Sequence, residues 1–404
     1  MARLLDLSIF KRNRSFSLIY FGQFISFIGT MITMVVLPYQ VYQSTHSTML
    51  VGLLSFVQLL PLLFTALLGG VLADRYPRRR LLLLSECLLA VSCGLLVWNA
   101  CQSTPSMPIV FVVASLMSAI TGLHRPAFDG AIQQLVQGED YKTVGALHTF
   151  EYSFCMIIGP SMAGFIVAKF GIAFTYGMDL LTYVGSIIAL ILLRELPPSA
   201  VQATSTVFEA LREGVQFAWK RQVLLGSYGV DFIAMVFAVP NALFPAIALS
   251  IGGVKTLGLM FAAPAVGALL ISIWSGWTAS IKQEGKAIAI SALCWGATMI
   301  GFGFSHSLAW ALFFLALSGA FDACSGIFRV SLWNNNIPQD FRGRLAGIEM
   351  LSYLSGPKLG DTRAGIMAAT LGIAPAIVIG GVLCMFGVGY CCYRMPEFWR
   401  YRTK

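Results

Sequence analysis

Charged residues are scarce in this chain: only 11% of its 404 residues are Asp, Glu, Lys or Arg. A soluble globular domain carries about 25% charged residues. Hydrophobic residues make up 57% of the sequence, and the mean hydropathy is +0.77. A chain this poor in polar side chains lacks the groups to cover a water-facing surface, so its solvent must be lipid.

The sequence also lacks the residue patterns that mark catalytic and metal sites. It contains no HExxH, GxSxG, P-loop or CxxC pattern, and its four histidines and nine cysteines form no ligand cluster in sequence. Most cysteines lie within apolar runs, where a thiol packs as a small hydrophobe. We therefore expect neither an enzyme nor catalytic residues, and no metal site or cofactor.

Apolar runs long enough to cross a bilayer recur along the whole chain. At 1.5 Å per residue, about 20 residues span a hydrocarbon core of about 30 Å. The alternating pattern of a membrane β-barrel is absent from the sequence. The runs predict an all-α membrane protein, a bundle of twelve transmembrane helices. The expected spans are 16–41, 49–73, 81–100, 107–124, 143–168, 172–193, 223–250, 256–280, 287–305, 308–328, 345–370 and 373–393.

The net charge of +9 follows from membrane topology rather than from a nucleic-acid site. Almost all of the 27 Lys and Arg residues fall in alternate tails and loops, beginning with the N-terminal tail. The positive-inside rule places these segments, and both termini, in the cytoplasm. We expect a multi-pass inner-membrane protein whose partners include the lipid bilayer but no nucleic acid.

A polar segment at 194–222 divides the chain into a six-helix half at 1–193 and a second half at 223–404. The segment ends in an amphipathic stretch, which predicts a helix lying on the cytoplasmic face of the membrane. The fifth helix of each half carries an acid, Glu151 or Glu349, followed by a Gly-Pro pair. This correspondence indicates an internal repeat, the usual construction of a rocking transporter.

Two short motifs carry a family resemblance. The loop after the second span, Gly70–Arg79 (GVLADRYPRR), resembles the signature of the major facilitator superfamily, although Pro77 replaces the usual glycine. The run Gly159–Gly164 (GPSMAG) resembles the motif of antiporters in that superfamily. The runs THST at 45–48, LFP at 243–245, RGRLAG at 342–347 and GPKLGD at 356–361 are similar to the enterobactin-exporter branch, to which macrolide-efflux members are related.

The resemblance implies the major facilitator fold and proton-driven export of a siderophore-like amphipathic small molecule from cytoplasm to periplasm. Two alternatives remain open: a macrolide or multidrug efflux pump, and more distantly an importer of a nutrient or lipid. An outer-membrane export channel is a candidate partner. The resemblance assigns the cytoplasmic gate to Gly70, Asp74, Arg75 and Arg78, and the antiporter-like motif to Gly159, Pro160 and Gly164.

Charged side chains inside membrane spans are energetically costly and are therefore candidates for function. Glu151 and Asp231 each lie about eight residues, or about 12 Å, inside their spans, and Asp322 is also deep. A dry carboxyl retains its proton and releases it when water enters, which is the chemistry that proton coupling requires. No Lys or Arg lies within a helical turn of Asp231, so we expect no local cation to hold it ionised. A hydrogen bond to a neighbouring helix is the structural alternative, above all for Glu86, Asp179 and Glu349.

A second set of charges, Lys358, Asp361 and Arg363, lies in the outer half of the eleventh span. Lys358 and Asp361 are three residues apart on one helix face and can pair, while Arg363 can join them or cap a neighbouring helix. An ion-pair gate that breaks on outward opening and a static brace both fit this pattern.

Prolines and aromatic residues provide the remaining candidates. Pro240, Pro245 and Pro264 are expected to break the seventh and eighth helices beside a central cavity. Candidate substrate contacts near that cavity are Tyr39, Phe237, Phe244, Trp274 and Trp295.

Overall fold

The computed structural model describes residues 7–136, 138, 140–194, 196 and 207–403, apart from the side chains at 74, 207–211, 339–340 and 342–344. Ten helical segments in this part of the chain are long and apolar enough to cross a membrane. One of them, Asp140–Leu192, contains two spans, and the helix Gln339–Leu371 is long enough but carries more charges. Together these segments correspond to the twelve expected spans, and the predicted all-α membrane fold is confirmed.

The first compact unit comprises Met1–Val41 and Val57–Thr204. Its helices are α1 (Ile9–Arg12), α2 (Arg14–Thr45), α3 (Thr48–Arg75), α4 (Arg78–Ala100), α5 (Met107–Leu135) and α6 (Asp140–Leu192). The end of α2 and the start of α3, at Tyr42–Phe56, cluster with the second unit instead. The long α6 breaks at Gly171, whose φ of 81° is a conformation that favours glycine.

The second compact unit comprises Tyr42–Phe56 and Ser205–Lys404. Its own helices are α7 (Val207–Trp219), α8 (Gln222–Ala238), α9 (Phe244–Ile251), α10 (Val254–Ile273), α11 (Glu284–Gly303), α12 (Leu308–Asn336), α13 (Gln339–Leu371), α14 (Ile373–Arg394) and α15 (Pro396–Trp399). The amphipathic helix expected within 194–222 is α7. The division into halves at 1–193 and 223–404 stays a prediction.

The prolines differ in what they do to their helices. Pro240 has the expected effect: α8 ends at Ala238, and a 3-10 turn at Asn241–Leu243 leads into α9. Pro245 lies in the first turn of α9, where no amide is required. The expected break at Pro264 is wrong, because this residue lies inside an unbroken α10.

Two helices extend well past their expected ends, which is a correction to the predicted spans. The fourth span was expected to end at residue 124 and the tenth at residue 328, but α5 continues to Leu135 and α12 to Asn336. Arg125 and Arg329 therefore lie inside helices rather than in loops. The expected spans end where hydropathy falls, one residue before each arginine. The helix nevertheless continues, because each guanidinium has an acidic partner on its own or a neighbouring helix.

Close packing of α10 against α12 fixes the position of the helix that carries Arg329. A Cβ atom at Gly267 would lie 1.7 Å from the Ala316 carbonyl oxygen, and one at Gly319 would lie 1.9 Å from the Pro264 carbonyl oxygen. Neither position has space for a side chain. Small residues of this kind allow membrane helices to approach through their backbones.

Candidate functional site

A single arginine lies among three acids in the second unit. Arg329 of α12 forms an ion pair with Asp231 of α8, and the two side chains are only 11% and 9% exposed. Asp322 lies seven residues before Arg329 on the same face of α12, with its Oδ1 atom 3.9 Å from the guanidinium Nη2. Glu349 of α13 interacts electrostatically with Arg329. We call these four residues the Arg329 cluster.

The expectation that no cation accompanies Asp231 is therefore wrong. The sequence shows no basic residue near it on α8, but the cation comes from α12, 98 positions later in the chain. Arg329 lies one residue beyond the expected tenth span, 308–328, so the sequence places it in a loop rather than among the membrane charges. The signal that could have found it is its spacing from Asp322, which puts both residues on one helix face.

An aromatic pair lies on the same helix faces as the Arg329 cluster. Tyr228 precedes Asp231 by three residues, and Trp333 follows Arg329 by four, so each pair shares a face. The two rings are stacked, with centroids 4.9 Å apart and planes inclined by 25°. Among the described residues, neither the Tyr228 hydroxyl nor the Trp333 Nε1 has a hydrogen-bond partner. Trp333 is only 8% exposed, so this lone donor is buried.

The aromatic residues expected near a cavity occupy different environments. Phe244 is buried and packs edge-on against Phe261 and Phe302. Tyr39 and Trp295 are also buried, whereas Trp274 is 70% exposed. The sequence could not separate these roles, since an aromatic side chain fits core, lipid and ligand equally well.

Asp361 and Arg363 of α13 satisfy the backbone groups that the break in α8 exposes. Pro240 has no amide, and α8 ends before it, which frees the carbonyls of Val236 and Phe237. Arg363 donates from Nε to the Val236 oxygen at 3.1 Å and from Nη2 to the Phe237 oxygen at 3.0 Å. Arg363 therefore caps a neighbouring helix, one of the two roles the sequence allowed.

The Asp361 carboxylate acts on the other side of the break. Its Oδ1 atom accepts a hydrogen bond from the Ala242 amide at 2.9 Å, and its Oδ2 atom accepts one from the Ser55 hydroxyl at 3.5 Å. Lys358 interacts electrostatically with Asp361. The three charges thus lie together, as their spacing indicated, and two of them bind the 3-10 turn and the end of α8.

Glu151 is the buried acid of the first unit that lacks a hydrogen bond on one oxygen. The residue is 3% exposed, and among the described side chains its Oε2 atom has no partner. Arg125 of α5 interacts with it electrostatically but forms an ion pair with Asp129 at 3.3 Å. Glu151 and Asp231 lie in different units, and each interacts with an arginine, Arg125 of α5 and Arg329 of α12 respectively.

Glu86 and Asp179, two further candidate acids in membrane spans of the first unit, are held by hydrogen bonds. Glu86 contacts His124 Nε2 at 3.2 Å and accepts a hydrogen bond from the Ser26 hydroxyl at 3.1 Å. Asp179 accepts hydrogen bonds from the hydroxyls of Thr33 and Thr182. These contacts match the structural alternative, a hydrogen bond to a neighbouring helix.

The loop signature contributes contacts inside the first unit. Arg78 is buried, and its guanidinium donates to the carbonyl oxygens of Gly130 and Ala73. Arg75 is exposed, a Cβ atom at Gly70 would meet no neighbour within 4 Å, and the Asp74 side chain lies outside the described part. Arg78 is thus already bound within its own unit, and the gate role of Gly70, Asp74, Arg75 and Arg78 stays a prediction.

The antiporter-like motif forms a close helix contact. Gly159, Pro160 and Gly164 are buried on α6. A Cβ atom at Gly159 would lie 2.5 Å from the Cβ atom of Met31 on α2. The glycine therefore permits α6 to pack against α2 at this position.

Comparisons with known proteins match nearly the full length of the chain. A protein family described as transmembrane secretion effector matches residues 8–398. Enterobactin exporter EntS of Salmonella typhimurium is 27% identical over 391 residues, covering 95% of this chain and 93% of the relative. Enterobactin exporter EntS of Shigella flexneri is 27% identical over 387 residues, with coverage of 95% and 93%.

Solved structures share the fold at low sequence identity. A POT family transporter in complex with 5-aminolevulinic acid has a TM-score of 0.74 at 13% identity, covering 96% of this chain and 97% of that one. The nucleoside transporter NupG has a TM-score of 0.73 at 14% identity, with coverage of 96% and 99%. At such identities the likeness concerns the fold alone.

Proposed function

Because this chain belongs to the transmembrane secretion effector family of the major facilitator superfamily, a family of multi-pass membrane transporters and not of enzymes, we propose that it is a proton-coupled exporter. In this proposal it lies in the inner membrane with both termini in the cytoplasm. It moves a siderophore-like amphipathic small molecule to the periplasm by alternating access, in exchange for protons. An outer-membrane channel then completes export.

The observation that carries the proposal is the excess of acids over cations in the Arg329 cluster. Arg329 has three acidic neighbours, and one guanidinium cannot neutralise Asp231, Asp322 and Glu349 together. The carboxylates left over are hydrogen-bond acceptors. They suit a ligand that brings O–H or N–H donors, and they repel one that brings only negative charge.

Competition for these carboxylates provides the coupling. A substrate hydroxyl donates its hydrogen bond to an ionised carboxylate, whereas a protonated carboxyl has lost much of its capacity to accept. Proton binding and substrate binding therefore oppose each other, which is the thermodynamic requirement of antiport. Entry of protons from the periplasm would release the substrate there.

The stacked pair Tyr228 and Trp333 supplies the apolar part of the site. Aromatic faces bind planar rings, and the free Tyr228 hydroxyl and Trp333 N–H orient a polar ligand at its edge. A ring bearing hydroxyl groups matches both the stack and the acids. The relatives named as enterobactin exporters support a siderophore as the substrate. A macrolide or other cationic amphiphile is the second candidate, because surplus carboxylates also favour a cation.

Transport in proteoliposomes tests the coupling. Asp231→Asn leaves Arg329 to Asp322 and Glu349 and so lowers the surplus of acids by one. We expect it to abolish uptake driven by an imposed proton gradient, while binding of a catechol siderophore to purified protein persists and varies less between about pH 5.5 and 8. Glu397→Gln removes an exposed acid far along the chain on α15 and serves as the matched control. If Asp231→Asn still accumulates substrate against its gradient, the coupling role moves to Glu151 or Asp322. If Asp231→Asn, Glu151→Gln and Asp322→Asn all transport like the parent protein, proton antiport is refuted.

A deletion strain tests the substrate. Grown with and without iron, it should retain a siderophore that the parent strain secretes, as measured by mass spectrometry of culture supernatants. Unchanged secretion together with reduced tolerance to macrolides would favour the second candidate.

A further inference from the structure

A groove between α2 and α6 opens at the surface of the first unit. Its volume is about 240 Å³, and it begins beside Arg14, the first residue of α2. Its floor is formed by Gly22 of α2 and by Gly185 and Ala189 of α6. The groove is deep because these residues have no side chain or only a methyl group. A Cβ atom at Gly185 would meet only the Ile25 side chain, at 3.8 Å, which leaves room above this glycine.

The groove faces lipid. On α6, Leu181, Val184 and Ile188 flank Gly185 and are 64%, 43% and 54% exposed. On α2, Phe21 and Ile25 line the groove and are 50% and 44% exposed. In a membrane protein, large apolar side chains exposed on transmembrane helices contact acyl chains.

The length of the groove matches one leaflet of the bilayer. Arg14 and Ile25 are eleven residues apart on α2, which is about 16 Å along the helix axis. Half of a hydrocarbon core of about 30 Å is about 15 Å. A single acyl chain therefore fits along the groove, with its headgroup at the level of Arg14.

Arg14 is a cation available to such a headgroup. Two nearby arginines are already engaged: Arg12 forms an ion pair with Asp140 at 2.9 Å, and Arg79 donates to the carbonyl oxygens of Leu190 and Ile191 at 2.8 Å. The Arg14 side chain is exposed and forms no ion pair or hydrogen bond with any residue in the described part of the chain. Its charge is thus free for an external anion.

We propose that this groove is a binding site for an anionic phospholipid. The phosphate lies on the Arg14 guanidinium, and one acyl chain lies over Gly22 and Gly185. The site is independent of the transport mechanism proposed above. A zwitterionic lipid places an ammonium group beside Arg14 as well, so it should bind more weakly than a lipid with net negative charge.

Native mass spectrometry of the full-length protein in detergent tests the site. The protein is supplied with equal amounts of phosphatidylglycerol and phosphatidylethanolamine, and we expect more phosphatidylglycerol to remain bound. Arg14→Gln should lower bound phosphatidylglycerol about fivefold, the effect of one interfacial charge. Gly185→Leu should lower binding of both lipids, because the new side chain fills the groove.

Two matched variants control for indirect effects. Arg12 is two residues from Arg14 and already pairs with Asp140, so Arg12→Gln removes the same charge from a residue outside the site. Val184→Leu enlarges an exposed side chain beside the groove. Both should retain lipid like the parent protein. Elution as a single species and an unchanged unfolding temperature establish that each variant is folded.

Three results would overturn the proposal. Equal retention of the two lipids by the parent protein would exclude selection by charge. An equal loss of bound phosphatidylglycerol in Arg12→Gln and Arg14→Gln would show that the general positive charge of this region, rather than a site at Arg14, retains the lipid. A dimer that disappears in Gly185→Leu, with lipid binding unchanged, would make the groove a contact between two copies of the chain.

Discussion

Asp361 and Arg363, two residues apart on α13, hold opposite sides of the same break in α8. Arg363 binds the Val236 and Phe237 carbonyls in the last turn of α8, and Asp361 binds the Ala242 amide in the turn that follows. A helix that ends inside a membrane must have its backbone groups satisfied by protein. The pair therefore explains how the break at Pro240 is tolerated.

For the stability of the protein, the hydrogen-bond acceptor at Asp361 should matter more than the charge of its carboxylate. Asp361→Ala leaves the Ala242 amide without a partner, so we expect a loss of about 1–3 kcal/mol in the free energy of unfolding. Asp361→Asn keeps an oxygen at that position and should lose less. Thermal unfolding of the purified variants in detergent measures the difference. Equal losses would show that the hydrogen bond to Ala242 is unimportant.

Lys358 and Asp361 should behave as a coupled pair. Lys358→Met or Asp361→Asn alone changes the net charge of this group of side chains, whereas the double variant preserves it, and unbalanced charge within a membrane span is costly. The double variant should therefore transport better than either single variant in proteoliposomes. If the double variant is the worst of the three, the attraction between these two side chains is not what maintains the site.

Removal of Arg329 should be more harmful than removal of Asp231. Asp231→Asn leaves the guanidinium with Asp322 and Glu349, whereas Arg329→Gln leaves three acids without a cation. Asp231 is the buried acid of the three, and a buried charge that loses its partner costs about 3–5 kcal/mol. The pair should also show a coupling of about 0.5–3 kcal/mol in a double-mutant cycle of unfolding. Strictly additive losses would contradict the ion pair.

The loop signature should separate into a stability residue and a transport residue. Arg78→Ala removes the donor to the Gly130 and Ala73 carbonyls, so we expect it to lower the free energy of unfolding by about 1–3 kcal/mol. Asp74→Asn should reduce transport with expression near normal. Wild-type transport by Asp74→Asn would reduce the loop to an anchor for membrane topology.

Glu86 should prove structural. Its carboxylate binds His124 and Ser26 in the core of the first unit. Glu86→Leu should destabilise the protein by about 1–3 kcal/mol because both partners lose their acceptor. Glu86→Gln retains an acceptor and should keep gradient-driven transport, unlike Asp231→Asn. Loss of coupling in Glu86→Gln, at normal stability, would move Glu86 into the transport mechanism.

The fold followed from the sequence because lipid imposes a strong and local rule. Each span needs about 20 apolar residues, and this requirement can be read along the chain without knowledge of any neighbour. Breaks at Gly171 and before Pro240 also follow locally, from backbone chemistry. The ends of α5 and α12 do not, since their arginines interrupt the apolar run while the helix continues.

The sequence by itself determined that this chain is a helical membrane transporter, and it identified Asp231, Glu151 and Asp361 as charges within membrane spans. Only the tertiary structure decided which partners they have. Asp231 pairs with Arg329 from a helix almost a hundred residues later, and Asp361 binds a backbone amide that no side-chain pattern reveals. The free-energy cost of a charged side chain in a membrane depends on that residue's own chemistry. Whether a partner offsets this cost depends on which helices pack together.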